Sequence, residues 1–493
     1  MENKSLWVNN INYKINKKLN KNLDVDILII GGGLTGISTA FYLKDSNYNI
    51  ALIDADKIGY GVSSRTTGKL TYLQELIYQK LEKNFNFEIA KMYLDSQKYA
   101  IDLVLNNIRK YNIECDLEKN SSYVFTNNSN EISKFKKEEK FFNKANVKYT
   151  VHNKIPFNYA CKYAIKVEDT YVFHPLKYIL GLKDICIKKG IEIYENTKAI
   201  KLDKKENYYI CFTEKYKIKA KKVIIACHYP FFVIPGLIPI RTHIEKSYIT
   251  ASIIKDEKNF NAITNTYPIK SIRYHVDKNK KYIIFAGESH KLCNKLDRRN
   301  NYEKIINDVK KNVSSDIKFY WTNQDLMTSD NLPLIGILNK NNPNLLIGTG
   351  YNTWGMTNGS LAGKIISDII LNKENKFKNL FKPDRSINMD KIKNFVLNSY
   401  LNGKAFVVTK LKKNYPWYNN TVKFEKRNGI NVGIYIDENG KEHIVKNLCP
   451  HMKCSLIFNM KDKTWDCPCH GSRFDIDGNC IQGPSAYNIK IKK

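Results

Sequence analysis

The chain has 493 residues, of which 43% are hydrophobic and 12% aromatic, so its composition excludes a largely disordered protein and supports two or three folded domains. Its formal net charge is +32, but residues 404–493 carry only 16 of the 80 basic and 8 of the 48 acidic side chains, so the excess is spread along the chain. Because nucleic-acid binding needs a clustered basic surface, we expect no nucleic-acid partner.

The apolar runs and the cysteines indicate the compartment. Apolar runs such as FFVIPGLIPI are interrupted by proline and are too short for a membrane span, and the N-terminus lacks the apolar core of a signal peptide. Six of the eleven cysteines are scattered singly, as reduced thiols in the cytoplasm usually are. We therefore expect a cytoplasmic protein without membrane insertion.

The first strong motif is a strand, a glycine-rich turn and a helix. The apolar run VDILII leads into GGGLTG at residues 31–36, and a helical pattern follows. In such a turn the first glycine permits the tight bend, Gly33 admits a pyrophosphate, and Gly36 lets helix and strand pack closely. The next apolar run ends at Asp54, where a carboxylate can bind ribose hydroxyls. The segment therefore predicts dinucleotide binding.

Two later glycine-rich loops bear on the choice between NAD and FAD. Residues 59–68 form a small-residue loop just after the strand that ends at Asp54. Residues 348–359 (GTGYNTWGMTNG) form another strand-to-helix turn about 300 residues further along the chain. A chain that returns to its cofactor so late favours a long, extended ligand, which indicates FAD.

The middle of the chain predicts the part that receives the substrate. Alternating apolar and polar residues around 150–175 and 246–290 predict antiparallel strands of a substrate-binding sheet. Helical periodicity in 74–112 and 300–313 predicts helices that flank this sheet.

The C-terminal region contains two boxes of potential metal ligands, Cys449-x-His451 and Cys467-x-x-His470. Two thiolates and two imidazoles suit the two irons of a Rieske 2Fe-2S cluster. A structural zinc site is the alternative, because zinc also accepts two Cys and two His. Each box has a further cysteine, Cys454 or Cys469, which a four-ligand zinc site does not need.

These motifs resemble two known families. Residues 25–372 resemble FAD-dependent oxidoreductases of the D-amino-acid oxidase and glycine oxidase superfamily, through GGGLTG, Asp54, the GYGVSS loop, WTNQDLMTSDNLPLIG and GTGYNTWGMTNG. The C-terminal boxes resemble the Rieske proteins of respiratory and photosynthetic complexes, and a fusion of the two modules occurs in one subgroup of the superfamily.

The resemblances imply the site residues. The FAD contacts expected from the first family are Gly31, Gly33, Leu34, Thr35, Gly36, Asp54, Ser63, Ser64, Ala199, Gly350, Met356 and Thr357. The second family implies that Cys449 and Cys467 bind one iron, that His451 and His470 bind the other, and that Cys454 and Cys469 form a disulfide.

The predicted fold class is α/β, with a Rossmann-like FAD-binding domain, an antiparallel substrate-binding sheet and a small all-β Rieske domain. The predicted parts are an N-terminal extension (1–23), an FAD-dependent oxidoreductase domain (24–387, with the substrate-binding sheet inserted at about 150–175 and 240–320), a helix and linker (388–403), and a Rieske domain (404–493).

One position departs from the first family. Amino-acid-oxidising members of the superfamily carry an Arg in the segment WTNQDLMT, where it clamps the substrate carboxylate, and this chain has Asp325 there. We therefore expect a cationic or neutral amine as substrate. The alternative is that Asp325 caps or pairs within the fold.

The expected function is that of an FAD-dependent oxidoreductase acting on a small organic substrate, at an amine or amino-acid-like C–N bond. Electrons are expected to pass one at a time between FAD and the Rieske cluster, with a one-electron donor or acceptor protein as partner. No catalytic residue is predicted. The alternative is a redox sensor or electron-transfer protein whose cluster feeds the flavin or a partner without substrate turnover of its own.

Overall fold

The structure is a computed structural model, which describes residues 1–230, 238–255, 259–292, 301–385 and 421–491. The predicted linker at 388–403 lies outside the described residues, as do residues 404–420 of the predicted Rieske domain. None of the described helices combines the length and the apolar character needed to cross a membrane.

The described strands are β1 (Glu2–Asn3), β2 (Leu23–Ile30), β3 (Ile50–Ile53), β4 (Lys69–Leu70), β5 (Glu118–Thr126), β6 (Thr150–His152), β7 (Tyr163–Val172), β8 (Glu192–Tyr194), β9 (Lys201–Lys204), β10 (Tyr209–Phe212), β11 (Lys217–Ile225), β12 (Thr242–Ile253), β13 (Phe260–Thr264), β14 (Ser271–Asp277), β15 (Lys280–Lys291), β16 (Ile317–Thr328), β17 (Leu334–Ile337), β18 (Leu345–Thr349), β19 (Val422–Arg427), β20 (Ile430–Ile436), β21 (Glu442–Lys446), β22 (Ile457–Asn459), β23 (Thr464–Asp466), β24 (Arg473–Phe474) and β25 (Cys480–Gln482). The α-helices are α1 (Leu34–Leu43), α2 (Ile77–Asn84), α3 (Phe87–Tyr111), α4 (Ile132–Lys144), α5 (Pro175–Lys188), α6 (Ile238–Arg241), α7 (Asn301–Asn312) and α8 (Gly355–Ile370).

The first sheet is largely parallel and carries the glycine-rich turns. Six of its eight strands lie in the order β17-β18-β11-β2-β3-β8, with β17 antiparallel to its neighbour and the other pairs in this row parallel. Strand β10 pairs antiparallel with β11 and with β9. The central strand β2 is an apolar run because it is buried, and helices α1 and α8 contribute to the core beside it. Parallel strands end at a common edge, so the turns after β2, β3, β11 and β18 converge there.

The second sheet contains the antiparallel strands that the sequence predicts, and it is wider than the sequence indicates. Its order is β1-β16-β12-β15-β14-β13-β5-β7-β4, with β6 paired to β7. Most neighbours are antiparallel, but β1 pairs with β16 and β13 pairs with β5 in parallel. The segment WTNQDLMT lies in β16, so Asp325 belongs to the sheet itself.

The N-terminal residues pack against this second sheet. Trp7 is fully buried, its indole Nε1 donates a hydrogen bond to the backbone oxygen of Thr66 (2.6 Å), and its ring contacts those of His174 and His275. The polar composition of residues 1–23 predicts only an extended lead-in, because a single buried tryptophan leaves no periodic pattern.

The C-terminal region forms two small antiparallel sheets, β19-β20-β21 and β22-β23-β24-β25. Trp465 is fully buried between them, with Phe424 and Phe458 against its ring. The predicted fold class, α/β with a small all-β C-terminal module, is confirmed.

A buried ionic network joins the C-terminal module to the second sheet. Lys246 Nζ of β12 lies 3.3 Å from both Asp462 Oδ2 and Asp466 Oδ2. Arg473 closes the network from the other side, with Nη2 2.6 Å from Asp462 and Nε 3.1 Å from Asp466. The Tyr302 hydroxyl donates to Asp462 Oδ1 (2.9 Å). Because each carboxylate has two cationic partners, the network holds the two parts together without a net buried charge.

Candidate active site and cluster site

A cavity of about 270 Å³ lies at the edge where the parallel strands end. It is lined by the turns after β2, β3, β11 and β18. Eight of the residues predicted to contact FAD line it: Gly31, Gly33, Leu34, Thr35, Asp54, Ser63, Gly350 and Met356. Helix α1 begins at this cavity, with Gly33 as its N-cap residue. A helix N-terminus without a side chain in front of it suits a pyrophosphate.

Asp54 is fixed at the mouth of the turn by backbone donors. The amide of Gly32 donates to Asp54 Oδ2 (2.6 Å), and the amide of Asp56 donates to Oδ1 (2.8 Å). Burial nevertheless raises the pKa of Asp54 to about 6. This carboxyl is therefore positioned by the protein before any ligand arrives, while its contact with a ribose stays a prediction.

The other four predicted FAD contacts do not line the cavity. Gly36 faces the strand, where a Cβ would lie 1.8 Å from the carbonyl oxygen of Gly31, so it serves the close packing of α1. Ser64, Ala199 and Thr357 are buried; Ser64 Oγ donates to Gly61 O (3.2 Å) and Thr357 Oγ1 to Trp354 O (3.3 Å).

The two Cys/His boxes form a pair of matching loops. The amide of Lys453 donates to Cys449 O (2.9 Å), and the amide of Gly471 donates to Cys467 O (3.0 Å). In the opposite direction, the amide of Cys449 donates to the carbonyl oxygen of Cys454, and the amide of Cys467 donates to the carbonyl oxygen of Ser472. Each loop thereby turns sharply around its first cysteine, and a disulfide between Cys454 and Cys469 ties the two loops together.

The four predicted cluster ligands meet between these loops. The thiols of Cys449 and Cys467 are buried and hydrogen-bonded to each other, which lowers the pKa of Cys449. The imidazole centroids of His451 and His470 are 5.1 Å apart. Both Nδ1 atoms are buried and find no hydrogen-bond partner among the described residues. Burial holds the pKa of His451 at about 4, so the ring is neutral, the form that binds metals.

Tyr229 connects the cluster loops to the cavity, and the sequence analysis missed it. It follows β11, lines the cavity, and places its ring centroid 5.4 Å from that of His470 and 6.0 Å from that of His451. Its hydroxyl is buried and has no hydrogen-bond partner among the described residues. A polar residue directly after a buried parallel strand can be recognised in the sequence as a candidate site residue. Its contact with the C-terminal module cannot be recognised in the same way.

The C-terminal module also reaches the cavity directly. Residues 481–483 line it, and Gln482 Nε2 donates to Gln324 Oε1 of β16 (3.1 Å). Gly471 in the second cluster loop approaches the same side chain, and a Cβ there would lie 2.5 Å from Gln324 Oε1. The cluster loops therefore sit against the wall of the cavity.

A second cavity, of about 120 Å³, lies on one face of the second sheet. Five residues line both cavities: Thr66, Asn323, Asp325, Thr353 and Met356. Glu75, Glu245 and Lys69 also line the second cavity and were not singled out from the sequence. Only the pairing of β12 with β16 brings Glu245 opposite Asp325, and a single sequence does not reveal that register.

Comparison with known proteins decides the family. The family described as FAD dependent oxidoreductase (DAO) matches residues 26–369, and the Rieske [2Fe-2S] domain matches residues 405–492. The chain belongs to the FAD dependent oxidoreductase family. It is an enzyme of the DAO type with a C-terminal Rieske domain, and its cofactors are FAD and a Rieske 2Fe-2S cluster. The Rieske match confirms the cluster prediction over the zinc alternative.

Relatives cover both domains of this DAO enzyme. The Rieske 2Fe-2S iron-sulfur protein YhfW of Bacillus subtilis is 31% identical over 479 residues, spanning 96% of this chain and 94% of its own. Gamma-glutamylputrescine oxidoreductase of Escherichia coli is 23% identical over 372 residues, spanning 73% of this chain and 86% of its own. The crystal structure of glycine oxidase from Geobacillus kaustophilus superimposes with a TM-score of 0.61 at 15% identity, covering 74% of this chain and 100% of that one.

The residues of this DAO enzyme fit both cofactors. For the cluster, two buried thiols and two imidazole Nδ1 atoms converge between loops joined by a disulfide, and neither Nδ1 atom has a hydrogen-bond partner within the described ranges. For FAD, a cavity lies at the N-terminus of α1 with Asp54 at its edge, and the buried His228 Nε2 beside it has no partner among the described residues.

Proposed function

We propose that this enzyme oxidises a small amine or amino-acid-like substrate at a C–N bond, and that electrons pass one at a time between FAD and the Rieske cluster. The observation that supports this proposal most strongly is that the C-terminal module forms part of the cavity wall. The FAD cavity is lined by residues 481–483 of the C-terminal module and by Tyr229, whose ring contacts both histidines of the cluster site. Two redox groups held so close together suit direct electron exchange.

On this proposal the chain's own residues have separate tasks. The GGGLTG turn and the N-terminus of α1 bind the pyrophosphate, and Asp54 orients a ribose. Cys449 and Cys467 hold one iron, and His451 and His470 hold the other. Bound FAD supplies two-electron chemistry, and the bound cluster supplies one-electron exchange.

The domain contacts have a further task, which is to keep the two sites in register. Lys246, Arg473 and the side chain of Asp462 are nearly fully buried, and the side chain of Asp466 is 14% exposed. A buried network of this kind specifies one relative position, because any sliding would leave a charge unpaired in the interior. Tyr229 then lies between the cluster histidines and the cavity.

The relatives support the choice of a C–N bond. The name of the Escherichia coli relative, gamma-glutamylputrescine oxidoreductase, describes an amine-containing compound. Two solved structures with the same fold carry the names glycine oxidase and L-proline dehydrogenase. The departure at Asp325 supports an amine without a carboxylate anchor, because the position holds an acid in place of an Arg clamp.

The test is stepwise photoreduction of the anaerobically purified holoenzyme, followed by flavin absorbance and by electron paramagnetic resonance of the cluster. We expect the Rieske signal to grow as the flavin absorbance bleaches. Cys449→Ser should abolish the Rieske signal and leave FAD bound, whereas Cys161→Ser, in the FAD domain, should change neither. A Rieske signal that never responds to the flavin would contradict the proposed electron exchange.

A further inference from the structure

The second cavity is lined by more acidic side chains than basic ones. Glu245 and Asp325 are direct partners across the antiparallel pair β12 and β16, so their side chains share one face of the sheet. Glu75, just before α2, approaches the same cavity from the other side. The cavity is thus bordered by three carboxyl groups.

The cations near this cavity are engaged with other partners or lie at its rim. Lys69 Nζ donates to the carbonyl oxygen of Ala262 and to Ser271 Oγ (both 2.8 Å), and burial lowers its pKa well below the usual range. Lys80 Nζ lies 3.8 Å from Glu75, and His243 Nε2 lies 3.2 Å from Glu245. Among the described residues, no salt bridge reaches Asp325.

Asn323 supplies an independent observation that points to a ligand. It is 5% exposed and lines both cavities. Its Nδ2 donates to Asp325 Oδ2 (3.0 Å), and its Oδ1 is buried without a hydrogen-bond partner among the described residues. A buried carbonyl oxygen left without a donor destabilises the protein, because the oxygen has lost its hydrogen bonds to water. Asn323 and Asp325 together therefore offer acceptors where the two cavities meet, and both would be satisfied by a cationic donor.

We propose that this cavity binds an ammonium group, with Asp325 and Asn323 Oδ1 as its nearest partners, and that the substrate class is a small diamine or polyamine. This inference rests on the proposed function, in which the cavity receives the compound that is oxidised. The amine that is oxidised must be neutral, because its nitrogen needs a free lone pair while the C–N bond is oxidised. The ammonium held by the carboxylates is therefore a second amine of the same molecule. Glu245 and Glu75 stabilise its charge from further away.

The experiment titrates the FAD-loaded, full-length enzyme anaerobically with three probes of equal chain length and different charge. These probes are 1,4-diaminobutane, 4-aminobutanoate and succinate, and the perturbation of the flavin spectrum reports binding. We expect the diamine to bind at least about tenfold more tightly than 4-aminobutanoate, and succinate to bind least. Equal or tighter binding of 4-aminobutanoate or succinate would overturn the inference.

Two variants and a control locate the effect. Asp325→Asn keeps the side-chain shape and should weaken diamine binding about tenfold or more, because a hydrogen bond to a charged group is lost. Asp325→Arg should reverse the order of the probes. Glu206 is an exposed carboxylate distant from Asp325 in the sequence, and Glu206→Gln should leave all three affinities unchanged. Unchanged diamine affinity in Asp325→Asn would overturn the assignment of that residue.

The same titration separates this inference from the proposed function. If the diamine binds with the expected charge order but neither it nor any other amine bleaches the flavin, the ammonium site stands and the proposed oxidation fails. If 4-aminobutanoate binds best and bleaches the flavin, the oxidation stands and the ammonium site fails.

Discussion

Two groups of buried carboxylates in this enzyme have opposite electrostatic surroundings. At the domain interface, burial pushes the pKa of Asp462 upward, but Lys246 and Arg473 outweigh burial and hold it below its ordinary value. In the second cavity, burial and the nearby Glu245 raise the pKa of Asp325 to about 7. Burial also raises the pKa of Glu75 there.

Asp462 and Asp325 are the same residue type, and the difference between them lies in their partners. The interface aspartates have cations supplied by the protein, so they are charged in the folded state and hold two domains in place. Among the described residues Asp325 has no cationic partner, and Glu75 and Glu245 have only Lys80 and His243 beside them, so the free energy of the charged form of Asp325 depends on what enters the cavity. The first group therefore serves the structure, and the second favours a cationic ligand.

The largest expected effect comes from breaking the interface group. Arg473→Met leaves Asp462 and Asp466 with Lys246 alone, so one buried negative charge is uncompensated. We expect a loss of about 3–5 kcal/mol in the free energy of unfolding, measured by chemical denaturation.

A matched control exists at the surface. Arg427 forms ion pairs with two glutamates, but its side chain is 43% exposed. Arg427→Met should cost far less than Arg473→Met, because exposed ion pairs contribute little to stability. Similar losses in the two variants would show that the interface network contributes no more than a surface pair.

The next effect should come from Asp325, and it depends on pH. Because the folded-state pKa is raised to about 7, the folded protein binds a proton that the unfolded chain releases near pH 4, and stability falls as pH rises between these values. Asp325→Asn removes this loss. In the absence of ligand, we expect the variant to match the parent near pH 4 and to exceed it at pH 8 by up to ~4 kcal/mol.

Thermal denaturation across this pH range measures the effect. A variant that is less stable than the parent at pH 8 would indicate that Asp325 already has a favourable partner in the fold, which is the alternative considered from the sequence.

A smaller effect on the free energy of unfolding is expected at Gly471, where the second cluster loop contacts the second sheet. Its φ is +74°, and a Cβ would lie 2.5 Å from Gln324 Oε1. Gly440 has a similar φ of +78°, but a Cβ there meets no described atom within 4 Å. Gly440→Ala should therefore cost about 1–2 kcal/mol from the backbone conformation alone, and Gly471→Ala should cost more because the side chains of Gln324 and Ile244 must also move. Equal losses would mean that the loop does not dock as tightly as described.

The sequence predicts the cofactor-binding segments better than it predicts the cavity. The GGGLTG turn, the strand before Asp54 and the two Cys/His boxes are contiguous, so their chemistry can be recognised within a few residues. Tyr229 and Glu245 belong to sites assembled from distant segments: one follows β11 and contacts the C-terminal module, and the other faces Asp325 only through strand register. Asp325 could be singled out because its residue type departs from the family pattern, but the unsatisfied oxygen of Asn323 appears only in three dimensions.

The most direct measurement of the cavity's role is isothermal titration calorimetry of 1,4-diaminobutane into the holoenzyme at pH 6.5, in two buffers with different heats of protonation. Both amines of the free probe resemble the lysine amine, with a pKa of about 10, so they are protonated in solution at pH 6.5. Any proton that the reacting amine releases on binding adds to the release in the parent and in Asp325→Asn alike. A cation beside Asp325 lowers its raised pKa, and the same cation also lowers the pKa of Glu75 and of Lys69, which line the same cavity. The account predicts binding with net release of protons, and a smaller release in Asp325→Asn. Proton uptake on binding, or a release that is unchanged in Asp325→Asn, would contradict it.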